Sequence, residues 1–177
     1  EYVKRAQDLN DKGIDFLKHG DAAARIAGAV KTFSATYTSE MVSHICLEPM
    51  NCTAQVKDGQ VTVWAPTQVP EMARAIAAKV AGVDAKDVAL HVTLLGGGFG
   101  RRLEVDYVAQ AVRVAMACDG KPVQLVWSRE EDMTHDFYRP MSVTQMAAAV
   151  GADGKPTALT FRLASQSVTG RVFGLPA

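Results

Sequence analysis

At 177 residues, 48% of them hydrophobic, the chain is long enough for one domain with a sizeable core. Nineteen basic and nineteen acidic side chains cancel, which removes the overall field that would draw nucleic acid or an anionic membrane surface. No apolar run approaches about 18 residues, so no segment reads as a helix inserted across a membrane.

Residues 1–20 alternate charged and apolar groups at helical spacing (Tyr2, Ala6, Leu9, Ile14, Leu17), with Gly13 weakening the middle. Asp21 caps a short helix predicted over Ala22–Ala27, which Gly28 ends. Val30–Thr38 alternates as a strand, with Phe33, Ala35 and Tyr37 on one face and Thr32, Ser34 and Thr36 on the other. Cys46–Val56 and Gln60–Ala65 flank Lys57-Asp58-Gly59, a hairpin turn in which glycine takes the positive φ position. Pro70 opens a helix predicted over Glu71–Ala81, and Gly82 stops it.

Val88–Leu95 is an apolar, branched run that reads as a buried strand, and Glu104–Ala117 carries a helical pattern. Val123–Ser128 is the next strand, and Met141–Val150 and Thr157–Ser165 pair antiparallel around Gly151-Ala-Asp-Gly154. The predicted fold is one α+β domain over residues 1–177, a mixed sheet with helices on one side. Glu1 in place of an initiating Met, an ending at Gly174-Leu-Pro-Ala177 and no visible signal peptide are what a piece of a longer chain shows.

Between that strand and helix stands Gly96-Gly97-Gly98-Phe99-Gly100-Arg101-Arg102. Four glycines in five positions let backbone N–H groups approach a ligand, and the helix start behind them adds donors and partial positive charge. Two arginines add forked, permanently charged donors. An anion, in particular a phosphate or pyrophosphate, suits such a turn; a crossover that merely packs helix against strand is the other reading. Neither a P-loop nor a Gly-x-Gly-x-x-Gly fingerprint fits the spacing.

Cys46 and Cys52 lie about 20 Å apart on an extended strand, beyond disulfide reach unless Pro49 bends it. Cys118 reads as a small core residue. The four histidines are scattered, so no protein-ligated metal is expected.

Leu95-Gly-Gly-Gly-Phe-Gly-Arg-Arg-Leu-Glu104, followed by Asp106-Tyr107, resembles the molybdopterin-binding large subunit of the xanthine dehydrogenase/aldehyde oxidase family. The similarity is greatest to the branch of isoquinoline 1-oxidoreductase beta subunits and membrane-bound aldehyde dehydrogenases. Ser43–Ala54, Val63–Pro70 and Pro122–Met133 resemble further segments of that family in the same order, so the match covers roughly residues 20–177. The resemblance implies the molybdenum-cofactor portion of a bacterial hydroxylase that oxidises an aldehyde or N-heteroaromatic carbon using water. A non-enzymatic phosphate- or nucleotide-binding module and an interaction domain are the alternatives.

The resemblance further implies that Gly97, Gly98, Phe99 and Gly100 line the cofactor and that Arg101 or Arg102 pairs with its pyrophosphate. His44, Glu48, Asn51, Glu104, Tyr138 and Arg139 are implied near the substrate pocket. Two departures stand out. The family's Gly-Lys-Glu is replaced by Arg101-Arg102-Leu103-Glu104, and Val42 stands where many relatives carry a glutamine. The implied cofactor is molybdopterin with molybdenum, in the cytosine dinucleotide form. The implied partners are an iron–sulfur small subunit and a cytochrome c. The implied location is periplasmic or membrane-associated, with a cytoplasmic alternative. The general base is expected outside this chain, which alone is expected to be inactive.

Overall fold

The computed structural model describes residues 19–174, so the helix expected at the start of the chain lies, but for positions 19 and 20, outside the described residues. Where the sequence reads as one domain, the described residues group into two compact units, 43–139 and the paired segments 19–42 and 140–174.

The first segment opens with α1 (Ala22–Ala27), whose first turn is tied by Asp21 Oδ1 accepting from Ala24 N at 2.9 Å. Strand β1 (Lys31–Ser39) follows.

Residues 43–139 carry the four-stranded sheet. Strands β2 (Asn51–Lys57) and β3 (Gln60–Ala65) form the expected hairpin, with Lys57 opposite Gln60. Asp58 and Gly59 take φ values of 50° and 76°, the left-handed pair that matches the twist of a two-residue hairpin. Helix α2 (Pro70–Ala81) starts on its proline and ends at Gly82, left-handed at φ 72°. It leads into β4 (Val88–Val92), which lies parallel to β3. A 3₁₀ turn at Arg101–Leu103 precedes α3 (Asp106–Ala115). Strand β5 (Val123–Val126) pairs antiparallel with β2, giving the mixed order β4-β3-β2-β5. Ser128 then caps α4 (Arg129–Thr134), its Oγ accepting from Glu131 N at 3.1 Å.

Both α2 and α3 pack on one face of this sheet, as expected. Cys52, Ala54, Val61, Val63 and Ala65 meet Ala73 and Ala77 of α2 and Tyr107, Val108, Ala111 and Val112 of α3 in one buried cluster. Small residues let the helices approach closely, and each fully buried valine contributes about 1.5–3 kcal/mol. The opposite face carries Trp64 stacked on His91 at 5.4 Å.

The remaining segment supplies β6 (Ser142–Val150), β7 (Pro156–Ser165) and α5 (Val168–Phe173). Strand β6 runs antiparallel between β1 and β7. Val143 and Ala149 are buried, while Phe33, Tyr37, Leu159, Phe161 and Leu163 are exposed. By register, these five share one face of the sheet.

Three boundaries differ from expectation for local reasons. β2 begins only at Asn51, after Pro49 and after Ile45 at φ 41° have interrupted extended pairing. β4 ends at Val92 rather than Leu95. The 3₁₀ turn delays α3 to Asp106, so residues 101–105 separate the glycine turn from that helix. The amides of Arg101, Leu103 and Glu104 are spent on the carbonyls of Gly98, Gly100 and Arg101. The expected helix start directly behind the glycines is therefore corrected: a 3₁₀ turn stands there.

Candidate functional site

The chain leaves β4 at the sheet edge and enters a turn that only glycine-rich sequence allows. Gly97 and Gly100 both sit at φ 106°, and Phe99 between them is held at φ 53°. For a bulky residue that conformation costs on the order of 1–3 kcal/mol and persists only where the surroundings enforce it. Gly96 is required by contact: a Cβ there would stand 2.4 Å from Glu48 Cβ. The Phe99 ring, 73% exposed, bends back so that a Cβ on Gly97 would lie 3.1 Å from its Cε2.

The amides of this turn divide into two sets. Gly96 N donates to Glu48 Oε2 at 2.8 Å, and Gly100 N and Arg102 N both donate to Gln68 Oε1 at 3.2 Å. Arg101 N closes the 3₁₀ turn onto Gly98 O. The amides of Gly97, Gly98 and Phe99 donate to nothing among the described residues. Three consecutive unengaged donors in a segment of changing φ sign are the raw material of an anion-binding nest. Gly100 departs from the expected set of four, because Gln68 occupies its N–H.

Arg102 braces the turn from below. Its guanidinium is fully buried and donates through Nε to Gly97 O at 2.7 Å and through Nη1 to Pro66 O at 3.1 Å. Nη2 donates to Glu48 O at 3.0 Å and to Glu48 Oε2 at 2.8 Å. Tyr107 Oη adds a second bond to Pro66 O at 3.0 Å. The forked side chain thus joins the turn, the β3 exit and the Glu48 segment.

Arg101 is likewise 1% exposed, held by Asp106 through two parallel bonds of 3.0 and 2.9 Å. Its guanidinium lies between the rings of Trp127 and Phe137, 5.3 and 5.2 Å from their centroids. Nε comes within 3.2 Å of Asp136 Oδ1 but off the line a hydrogen bond needs. Both arginines therefore depart from the expected pyrophosphate clasp. Their guanidiniums face inward, because a residue able to grip phosphate can equally satisfy buried carbonyls and carboxylates.

Asp136, which sequence reasoning passed over, joins these parts. It accepts from His44 N and from Ser43 Oγ at 2.8 Å, and its oxygens lie 2.9 and 3.1 Å from His44 Nδ1. Burial pushes its carboxyl up, but those donors outweigh it and hold the group below its ordinary value. Gln68 was also missed as a site residue, although it lies in one of the segments that carry the family resemblance. No local pattern marks either, since their partners lie 32 to 93 positions away.

The other expected pocket residues scatter. Glu48 is taken up by Gly96 and Arg102, and Asn51 Nδ2 donates to Pro49 O at 3.0 Å. Glu104 ends the 3₁₀ turn. Tyr138 Oη donates to Met133 O at 2.9 Å, and Arg139 is exposed. Cys46, Cys52 and Cys118 are free thiols, with Cys46 Sγ 3.4 Å from Gly98 O beneath the turn. Among the described residues, no group of three or more His, Cys, Asp and Glu side chains is placed to hold a metal ion.

Comparison with known proteins gives a consistent result. Residues 6–169 match the family model described as molybdopterin cofactor-binding domain. The chain is 35% identical over 174 residues to the membrane-bound aldehyde dehydrogenase [pyrroloquinoline-quinone] of Gluconacetobacter polyoxogenes, covering 93% of this chain and 22% of that protein. It is 33% identical over 146 residues to the isoquinoline 1-oxidoreductase subunit beta of Brevundimonas diminuta, covering 81% of this chain and 19% of that one. The fold matches the aldehyde oxidoreductase from Desulfovibrio gigas with a TM-score of 0.64 at 21% identity, over 81% of this chain and 16% of that chain. The chain thus spans about a fifth of the length of the relatives it matches.

Proposed function

The chain belongs to the molybdopterin cofactor-binding domain family, and on that premise we propose that it forms the glycine-turn wall of the cofactor site in a molybdenum hydroxylase. The observation that carries this reading is the nest of free amides at Gly97, Gly98 and Phe99. A run of main-chain donors fits an oxygen-rich group such as the pyrophosphate or oxygen ligands of a molybdenum–pterin cofactor. When bound, that cofactor supplies the redox centre for transferring a water-derived oxygen to carbon.

This chain's own residues do the holding. Gly97, Gly98 and Phe99 donate main-chain bonds, while the Phe99 ring walls one side. Arg102, Glu48 and Gln68 keep the turn in register, so that donors are in place before the ligand arrives. Arg101 acts only through the packing of Asp106, Trp127 and Phe137 around it.

The names of the relatives support an aldehyde or N-heteroaromatic substrate for the whole protein. The remaining assignments rest on the family resemblance alone: the cytosine dinucleotide form of the cofactor, an iron–sulfur small subunit and a cytochrome c as electron acceptors, and a periplasmic setting. The general base is assigned to sequence beyond this chain. Assay of the whole protein against aldehydes and N-heteroaromatics, with molybdenum and pterin measured in the same preparation, tests the reading. Oxidation of either class by a molybdenum-containing preparation is expected. Phosphate or nucleotide binding without molybdenum would favour a non-enzymatic module instead.

A further inference from the structure

We propose that His44 is a ligand-contacting residue of this site: its Nε2 meets an oxygen atom of the group carried on the glycine turn, and Asp136 positions its ring. The inference rests on the cofactor reading above and extends it to a side chain. The His44 side chain is 8% exposed, and Nδ1 is engaged by both oxygens of Asp136. The same carboxylate takes the His44 main-chain N–H, so ring and backbone are fixed together.

Nε2 has no partner among the described residues. It lies 3.4 Å from where a Cβ on Gly100 would stand, so the absent side chain leaves Nε2 in contact distance of the turn. Next to His44, Ile45 is held at φ 41°, a conformation that a branched side chain resists. Strain of this kind persists where the surroundings fix it and is concentrated at functional positions.

Glycine at position 100 keeps Nε2 open at the turn, where a ligand oxygen can take the place of solvent. With Nδ1–H given to Asp136, Nε2 accepts from a hydroxyl or water when the ring is neutral and donates to an oxyanion when it is protonated. Backing an imidazole with a carboxylate is the usual way to fix which nitrogen faces the ligand.

The test uses the whole protein loaded with cofactor. Asparagine keeps an amide near the Nδ1 position and has no atom at Nε2, whereas glutamine reaches the Nε2 position. Pterin release under mild denaturant is followed for wild type, His44→Asn and His44→Gln, together with the melting temperature of each cofactor-depleted protein. Loss of one hydrogen bond to a charged group corresponds to about tenfold or more. His44→Asn is expected to release pterin about tenfold faster at an unchanged melting temperature, with His44→Gln close to wild type. Equal release by His44→Asn and wild type overturns the inference. Should His44→Asn not fold, Asp136→Asn carries the same comparison, and release at the wild-type rate again overturns it. A wild-type protein without molybdenum or pterin would instead end the cofactor reading itself.

Discussion

Arg102 reaches back 54 positions to hold both the main chain and the side chain of Glu48, at 3.0 Å from its carbonyl oxygen and 2.8 Å from Oε2. Because Nε of the same guanidinium holds Gly97 O, the glycine turn is tied to a distant segment through one side chain. Replacing Arg102 with leucine leaves the carbonyls of Gly97 and Glu48 without their donor, at about 1–3 kcal/mol each, while the partly exposed Glu48 carboxylate keeps Gly96 N. Lysine recovers little, since one ammonium cannot replace a planar fork. Urea denaturation of Arg102→Leu, Arg102→Lys and Glu48→Gln checks this, and a loss below about 1 kcal/mol in Arg102→Leu contradicts it.

Gly96 and Gly98 differ in what a methyl group would meet. At Gly96 it would fall 2.4 Å from Glu48 Cβ, which is fixed by the chain; at Gly98 it would fall 2.7 Å from Gln68 Oε1, the far end of a longer side chain that accepts from Gly100 N and Arg102 N. Gly96→Ala is therefore expected to cost about 1–3 kcal/mol. Gly98→Ala is expected to cost under about 1 kcal/mol, the Gln68 amide shifting slightly without giving up Gly100 N and Arg102 N. Thermal unfolding of the two variants decides it, and equal losses would show that the turn is not braced as described.

How much of this was legible beforehand depended on whether the cause was local. The Asp21 cap, the Asp58-Gly59 turn, the Pro70 start and the Gly82 stop follow from single residues acting on their neighbours, and all appear as expected. The inward turn of Arg101 and Arg102 was not legible, because charge predicts exposure and only the folded partners Asp106 and Glu48 reverse it. Asp136 has no sequence mark at all: Ser43 and His44 lie more than 90 positions away. Glycine content suggested approachable amides and the resemblance implied a set of four, but Gln68 occupies the one at Gly100 through a contact that no spacing announces.

Asp136 makes stability depend on pH in a known direction. Its folded value lies below the ordinary 3.8, so it contributes stability above that value and loses it as pH falls through the folded value. Asp136→Asn should be less stable than wild type at neutral pH, with the gap narrowing as pH falls below the ordinary 3.8. Denaturation curves across that range check the sign; a gap that widens on acidification contradicts it.

The thiols should react unequally. Burial pushes the Cys52 thiol up to about 12 and raises Cys46 against the pull of Arg102, whereas Cys118 is only half-buried. At pH 8 a thiol titrating at 12 is ionised in about one molecule in ten thousand. Alkylation followed by peptide mapping should find Cys118 labelled first and Cys52 only on unfolding. Labelling of Cys52 at the Cys118 rate would contradict the burial described.

Whether the main-chain donors of the glycine turn hold the cofactor is tested most directly by molybdenum and pterin per polypeptide in the whole protein. Gly98→Ala and Gly98→Pro place similar bulk against Gln68, but only proline removes the N–H. About one molybdenum and one pterin per chain are expected in wild type and Gly98→Ala, with both largely lost from a Gly98→Pro protein that still melts cooperatively. Full loading of Gly98→Pro, or a quinone in place of molybdenum and pterin in the wild type, would contradict the account.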